Sequence, residues 1–186
     1  MGAAGFVAAF QKIKDRYRKH AIAALALLLL LLLFGRDAKP VIVVVVFIIL
    51  ASFSTFYHNY FRSPINFELA KLFTVTAAVA YGAVAGVIVG ALSVIISRAL
   101  SGRFDQDTVT SLAAMAIIAV LANAFRTANI AVLGIALVFV YYLLILPFIF
   151  LFGENRMREA VYIGTNIAFN VILFINVAPF LIKVVG

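Results

Sequence analysis

Long apolar stretches follow one another along the chain, and only short polar segments separate them. There are six, at about residues 21–34, 41–57, 67–97, 108–125, 129–152 and 160–182. The hydrocarbon core of a bilayer is about 30 Å thick, so a spanning helix needs about 20 apolar residues. Most of the stretches approach or exceed this length. The pattern predicts an all-α integral membrane protein built as a bundle of six transmembrane helices.

The N-terminal residues show a different pattern, in which apolar residues recur along one stripe of a helix with mostly basic residues around them. The stripe consists of Phe6, Phe10, Ile13 and Tyr17. Such a helix is suited to lie at the level of the lipid headgroups, with its basic face toward the phosphates. We therefore expect an amphipathic basic helix over residues 1–20, which anchors the topology or docks a cytoplasmic partner. Residues 21–186 are expected to form the six-helix transmembrane domain.

The composition supports the membrane class. Hydrophobic residues make up 66% of the chain, and the mean hydropathy is +1.18, whereas a soluble domain is about half apolar. The net charge of +8 comes from short loops and from the N-terminus, so the expected partner is an anionic lipid bilayer rather than nucleic acid. The chain has no cysteine, which excludes disulfides and thiol catalysis.

The distribution of lysine and arginine predicts the orientation, because basic residues are concentrated in cytoplasmic loops. Six crossings with the N-terminus inside place nine basic residues inside: Lys12, Lys14, Arg16, Arg18, Lys19, Arg62, Lys71, Arg126 and Lys183. Six lie outside: Arg36, Lys39, Arg98, Arg103, Arg156 and Arg158. We therefore expect a multi-pass protein of the cell membrane with both termini in the cytoplasm.

A stripe of small residues at intervals of four runs through the third apolar stretch. Its members are Ala78, Gly82, Gly86 and Gly90. Small residues at this spacing let two helices approach closely in a membrane, so the stripe is expected to pack against another helix. The same face continues into Ser93 and Ser97, which indicates that one end of it lines a cavity.

Polar residues also share one face of the sixth stretch. They are Glu159, Tyr162, Asn166 and Asn170. An unpaired amide is costly in hydrocarbon, so this face is expected to point into the protein. The row either supplies hydrogen bonds between helices or binds a polar substrate.

The fourth stretch opens with further hydroxyl groups. In the expected orientation, its polar end lies outside together with the polar ends of the third and sixth stretches. We therefore predict a solute-binding cavity near the outer face, formed by Ser93, Ser97, Thr108, Ser111, Tyr162, Asn166 and Asn170. Neutral amides and hydroxyls suit an uncharged or zwitterionic solute.

Sequence motifs of enzymes are missing. The chain contains no Gly-x-Ser-x-Gly, no His-Glu-x-x-His and no aspartate-rich pair of the kind that holds magnesium in prenyl transferases. Asp105 and Asp107 signal a metal site only weakly. We therefore expect no catalytic residue, no metal and no cofactor.

The segment Tyr81–Gly90, together with six spans, about 190 residues and both ends inside, resembles the substrate-binding S components of energy-coupling-factor transporters. Membrane proteins of the MreD type are similar in layout. The resemblance to S components implies binding of a vitamin-like solute near the outer face and association with a membrane coupling subunit and two ATPases. The Ala-x-x-x-Ala contact typical of that family is missing from Ala21–Ala26, so the resemblance extends to the binding fold and not to the coupling.

The sequence is compatible with three functions. The first is a small-molecule binding or transport subunit. The second is a non-catalytic scaffold that assembles with other membrane subunits or as a homo-oligomer, and the third is a lipid-modifying enzyme. A polar cavity between the third, fourth and sixth stretches would favour the first function, because a scaffold needs no such space.

Overall fold

The structure is a computed structural model that describes residues 38–56, 65–102, 106–152 and 156–186, apart from the side chains of residues 106–107, 150–152 and 156. The chain divides into two compact units, Met1–Ile42 and Val43–Gly186. The described part of the first unit is residues 38–42, where helix α1 begins. The predicted N-terminal helix, with Phe6, Phe10, Ile13 and Tyr17, and the first apolar stretch lie outside the described residues.

All regular structure in these described ranges is helical. The helices are α1 (Ala38–Phe53), α2 (Ala70–Tyr81), α3 (Ala83–Ser101), α4 (Gln106–Ala124), α5 (Ile130–Phe152), α6 (Arg156–Asn176) and α7 (Ala178–Val185). The all-α prediction is therefore confirmed for this part of the chain.

Helices α2 and α3 form an antiparallel hairpin that turns at Gly82. The backbone of Gly82 has φ 96° and ψ 167°, a conformation that is sterically favourable only for glycine. A Cβ atom placed on Gly86 would lie 2.5 Å from the Cβ of Ala78, and one on Gly90 would lie 2.9 Å from Oγ1 of Thr74. Residues equally distant from Gly82 therefore face each other across the hairpin.

The single span predicted over residues 67–97 is wrong. Ala78 lies on α2, Gly82 forms the turn, and Gly86 and Gly90 lie on α3, so these residues do not form one stripe on one helix. Ala78 lies four residues before the turn at Gly82 and Gly86 lies four residues after it, so the interval of four reflects their equal distance from the turn. The close approach of two helices that the small residues permit occurs within the hairpin and against α4.

Replacing Gly86 with Ala is expected to lower the free energy of unfolding by about 1–3 kcal/mol, the usual cost of overpacking a well-packed interior. The new methyl group would lie 2.5 Å from the Cβ of Ala78 and 3.0 Å from the Cβ of Ala119. Thermal unfolding in detergent measures the effect. The double variant Gly86→Ala/Ala78→Gly should recover part of the loss, and equal stability of Gly86→Ala and the wild type would contradict the hairpin packing.

Helices α4, α5 and α6 complete the bundle around the hairpin. A Cβ atom built on Gly86 would lie 3.0 Å from the Cβ of Ala119 in α4, and one built on Gly90 would lie 3.0 Å from the Cβ of Met115. The later residue of α3 thus meets the earlier residue of α4, so the two helices are antiparallel. Gly134 of α5 lies directly against the ring of Phe174 of α6. The backbones of α5 and α6 approach closely there because Gly134 has no side chain.

The bundle has two ends: the turn end, which contains Gly82, and the opposite end, which is called the cavity end because it contains a cavity. At the turn end, Gly82 lies near Asn123, and the hydroxyl of Tyr81 donates a 2.9 Å hydrogen bond to the carbonyl oxygen of Val185 in α7. The cavity end contains the start of α2, the end of α3, and the start of α6. The sixth apolar stretch is divided, because α6 ends at Asn176 and α7 begins with Pro179 in its first turn.

Large apolar side chains are exposed on the surface of the bundle, and several polar side chains are buried within it. Val84, Leu143 and Met157 are at least 70% exposed, whereas Lys71 and Asn166 are completely buried. Three described helices are long and apolar enough to cross a membrane: α3, α5 over Ile130–Ile149, and α6 over Met157–Asn176. Helices α1 and α2 and the Thr108–Ala124 part of α4 are apolar and shorter. These apolar helices indicate a membrane-embedded protein.

Candidate functional site

A cavity forms at the cavity end because α2 is shorter than α3. Helix α2 has 12 residues and spans about 18 Å, whereas α3 has 19 residues and spans about 28 Å. The register of the hairpin places the first turn of α2 level with Ser93 and Val94. The last two turns of α3 therefore have no α2 neighbour, and the face that packs against α2 nearer the turn borders open space here.

The cavity has a volume of about 320 Å³. Its wall carries hydroxyl groups from three regions of the chain: Thr55 after α1, Ser93, Ser97 and Ser101 on α3, and Thr110 and Ser111 on α4. It also carries charged and aromatic side chains: Glu68, Lys71, Arg98, Arg158, Glu159, Tyr141, Tyr142 and Tyr162. The wall thus offers both signs of charge, hydrogen-bonding groups and aromatic rings.

Ser93 is the hydroxyl group of the wall that most needs a partner. Its side chain is 1% exposed, and its Oγ atom has no hydrogen-bond partner among the residues that the structure describes. A buried hydroxyl without a partner is destabilising by about 1–3 kcal/mol. Ser97 differs, because its hydroxyl shares a hydrogen bond with the hydroxyl of Thr55. Ser93 thus contributes a buried hydroxyl to the cavity wall that has no partner in the described ranges.

Lys71 forms a charged centre at the base of the cavity. Its Nζ atom donates to Oε2 of Glu68 at 2.7 Å and to Oδ1 of Asn166 at 3.0 Å. The same atom lies 4.3 Å from the ring centroid of Tyr141 and 5.2 Å from that of Tyr142. Two hydrogen bonds and two aromatic faces compensate for burying the ammonium group.

Asn166 and Asn170 support this charged centre from α6. The Nδ2 group of Asn170 donates 3.0 Å hydrogen bonds to the side-chain and backbone oxygens of Asn166. Oδ1 of Asn166 therefore accepts from both Asn170 and Lys71. Both asparagines are completely buried, and neither lines the cavity.

The structure brings together four of the seven residues predicted to bind the solute. Ser93, Ser97, Ser111 and Tyr162 line the cavity. Thr108, Asn166 and Asn170 are buried and do not line it. Thr110, two residues beyond Thr108 on α4, lies in the wall instead.

The sequence analysis missed the charged part of the cavity. Lys71 was predicted only as a basic residue on the cytoplasmic side, yet it is completely buried and pairs with Glu68. The available signal was an ionisable pair within a long apolar stretch, since such residues usually face the interior of a membrane protein. Arg98 and Arg158 were predicted only to lie outside the membrane, and nothing in their local sequence distinguishes them from topology-determining arginines.

No group of three His, Cys, Asp or Glu side chains in the described ranges is placed to hold a metal ion. The chain matches no protein-family model, no curated protein and no solved structure. The resemblance to S components and MreD-type proteins therefore stays a prediction. The function has to be argued from the cavity itself.

Proposed function

We propose that this protein is a membrane-embedded binding or transport subunit for a small zwitterionic solute, which occupies the cavity at the cavity end. The observation that carries the proposal is the buried hydroxyl of Ser93, which has no partner among the described residues and lies in the wall of a space of about 320 Å³. Sites for small molecules have volumes of about 300–1,000 Å³, so this cavity suits a small ligand.

The charges of the wall favour a zwitterion over a neutral solute or a bare ion. Arg98 and Arg158 are guanidinium groups that suit a carboxylate or a phosphate. Glu159 and the ring of Tyr162 suit an ammonium group, by charge and by cation–π attraction. Hydroxyl groups from α3 and α4 complete the hydrogen bonding.

A thermal-shift experiment tests this proposal. The purified protein is unfolded in detergent with each of the common L-amino acids, and with glucose as a neutral polar control. A ligand at one hundred times its Kd adds about 2.7 kcal/mol to stability, or roughly 5–10 °C for a chain of this size. We expect at least one amino acid to produce such a shift and glucose to produce none.

Two variants, one at Ser93 and one at Thr76, test whether the solute binds in the cavity. Ser93→Leu replaces this hydroxyl of the cavity wall with a larger apolar side chain and should abolish the shift. Thr76→Val is the matched control, because Thr76 also has a buried hydroxyl without a partner in the described part of the chain but does not line the cavity. It should retain the shift.

The scaffold function is the second candidate, and the asparagines favour it. Asn166 and Asn170 bond to each other and to Lys71, which is the arrangement expected of hydrogen bonding between helices. If no amino acid shifts the unfolding temperature of the wild type, solute binding is wrong and the scaffold function takes its place.

A further inference from the structure

We infer that the cavity opens toward the cytoplasm. This inference goes beyond solute binding and is independent of it, because it concerns the side of the membrane on which the cavity end lies. It follows from the hairpin, which returns the chain to the end of the bundle from which it started, and from the distribution of basic residues that results.

Three hydrogen bonds show that the chain returns to the cavity end. The backbone amide of Leu69, just before α2, donates to Oγ of Ser54 at 3.1 Å. Thr55 is bonded to Ser97 near the end of α3. The backbone amide of Asn66 donates to Oγ1 of Thr165 on α6 at 3.1 Å. The end of α1, the start of α2 and the end of α3 therefore lie together.

A single span over residues 67–97 would have placed the residues before and after it on opposite sides of the membrane. The hairpin places both on the same side. Every later connection then changes sides relative to the six-span expectation. The connections α3–α4 and α5–α6 belong to the cavity end, and the connection α4–α5 and helix α7 belong to the turn end.

The basic residues of the bundle are unevenly divided between these two ends. The buried, paired Lys71 is left out of the comparison. The cavity end and the sequence segments that connect helices there contain five: Arg62, Arg98, Arg103, Arg156 and Arg158. The turn end contains two: Arg126 and Lys183. Because short cytoplasmic loops are enriched in lysine and arginine, the cavity end is assigned to the cytoplasm.

This orientation differs from the sequence-based expectation in two respects. The C-terminus, which follows α7 at the turn end, lies outside. The cavity exchanges its contents with the cytoplasm and not with the exterior. Arg98 and Arg158 then have a second role, because they help to hold the cavity end inside while they line the cavity.

Cysteine labelling tests the orientation cleanly, because the native chain contains no cysteine. Two full-length variants are needed: Phe104→Cys, in the segment between α3 and α4, and Thr127→Cys, between α4 and α5 at the turn end. Intact cells and permeabilised cells are treated with a membrane-impermeant maleimide. We expect Thr127→Cys to react in both, and Phe104→Cys to react only after permeabilisation.

The reverse pattern would overturn the inference, with Phe104→Cys labelled in intact cells and Thr127→Cys protected. Labelling of both positions in intact cells would also overturn it, since the two ends would then not lie on opposite sides. Neither outcome bears on whether the cavity binds a zwitterion. The thermal-shift experiment decides that question separately in detergent, where the two sides are equivalent.

Discussion

Replacing Lys71 with Met should lower the free energy of unfolding by about 3–5 kcal/mol, the typical cost of breaking a buried ion pair from one side. Lys71 is completely buried, and its ammonium group lies 2.7 Å from the carboxylate of Glu68. The variant keeps most of the volume of the side chain but leaves the carboxylate without its cation. It also removes a hydrogen bond to Asn166 and the contacts with two tyrosine rings.

The double variant Lys71→Met/Glu68→Gln separates charge from packing. Replacing both members of a buried ion pair is often close to neutral, so the double variant should recover most of the lost stability. Thermal and urea unfolding in detergent measure the four members of this cycle. If Lys71→Met is as stable as the wild type, the ammonium group is hydrated rather than held in the charged centre.

Replacing Gly134 with Ala should have the second large effect, a loss of about 3 kcal/mol or more from overpacking. A Cβ atom on Gly134 would overlap the ring of Phe174, which has no exposed surface. The ring is enclosed, so relief requires α5 and α6 to separate. Reduced expression and a lower unfolding temperature are the expected results.

Two further variants determine whether the ring is the cause. Gly134→Ala combined with Phe174→Leu removes the ring atoms that the methyl group would meet, and should be more stable than Gly134→Ala alone. Gly164→Ala is the matched control, because Gly164 also lies in a helix but has no neighbouring atom within 4 Å of a built Cβ. It should gain up to about 1 kcal/mol from helix propensity. Equal losses in the two alanine variants would contradict contact with Phe174.

The hairpin is the part of the fold that the hydrophobic pattern could not predict. Gly82 turns the chain within an uninterrupted apolar stretch, and no polar residue of the kind found in exposed turns marks the position. A glycine that lies four residues from other small residues is also typical of a helix-packing face, so this spacing does not identify Gly82 as a turn. The available hint was length, since a helix over residues 67–97 would be about 45 Å long and the hydrocarbon core is about 30 Å.

The charged centre depends on contacts between distant parts of the chain. Lys71 and Asn166 are separated by 95 residues, and a single sequence gives no sign of their pairing. The sequence did predict that Asn166 needs a partner inside the protein. It left open whether this partner is a solute or another helix, and the structure places Lys71 there.

The hydroxyl groups of α3 were easier to predict, because periodicity is a local property. Ser93 and Ser97 follow Gly86 and Gly90 on one face of the helix, and that face borders the cavity where α2 ends. The side of the membrane could not be predicted in the same way. It depends on the number of crossings, and in the orientation that we infer the turn at Gly82 reverses the side of every later connection.

The most direct test of solute binding in the cavity is isothermal titration of the amino acid that gives the largest thermal shift. The wild type, Thr76→Val and Ser93→Leu are titrated in the same detergent. Solute binding in the cavity predicts one site per chain, the same Kd for the wild type and Thr76→Val, and binding at least about tenfold weaker, or about 1.4 kcal/mol, for Ser93→Leu. The same Kd for all three proteins would contradict it, because the solute would then bind somewhere other than the space that Ser93 faces.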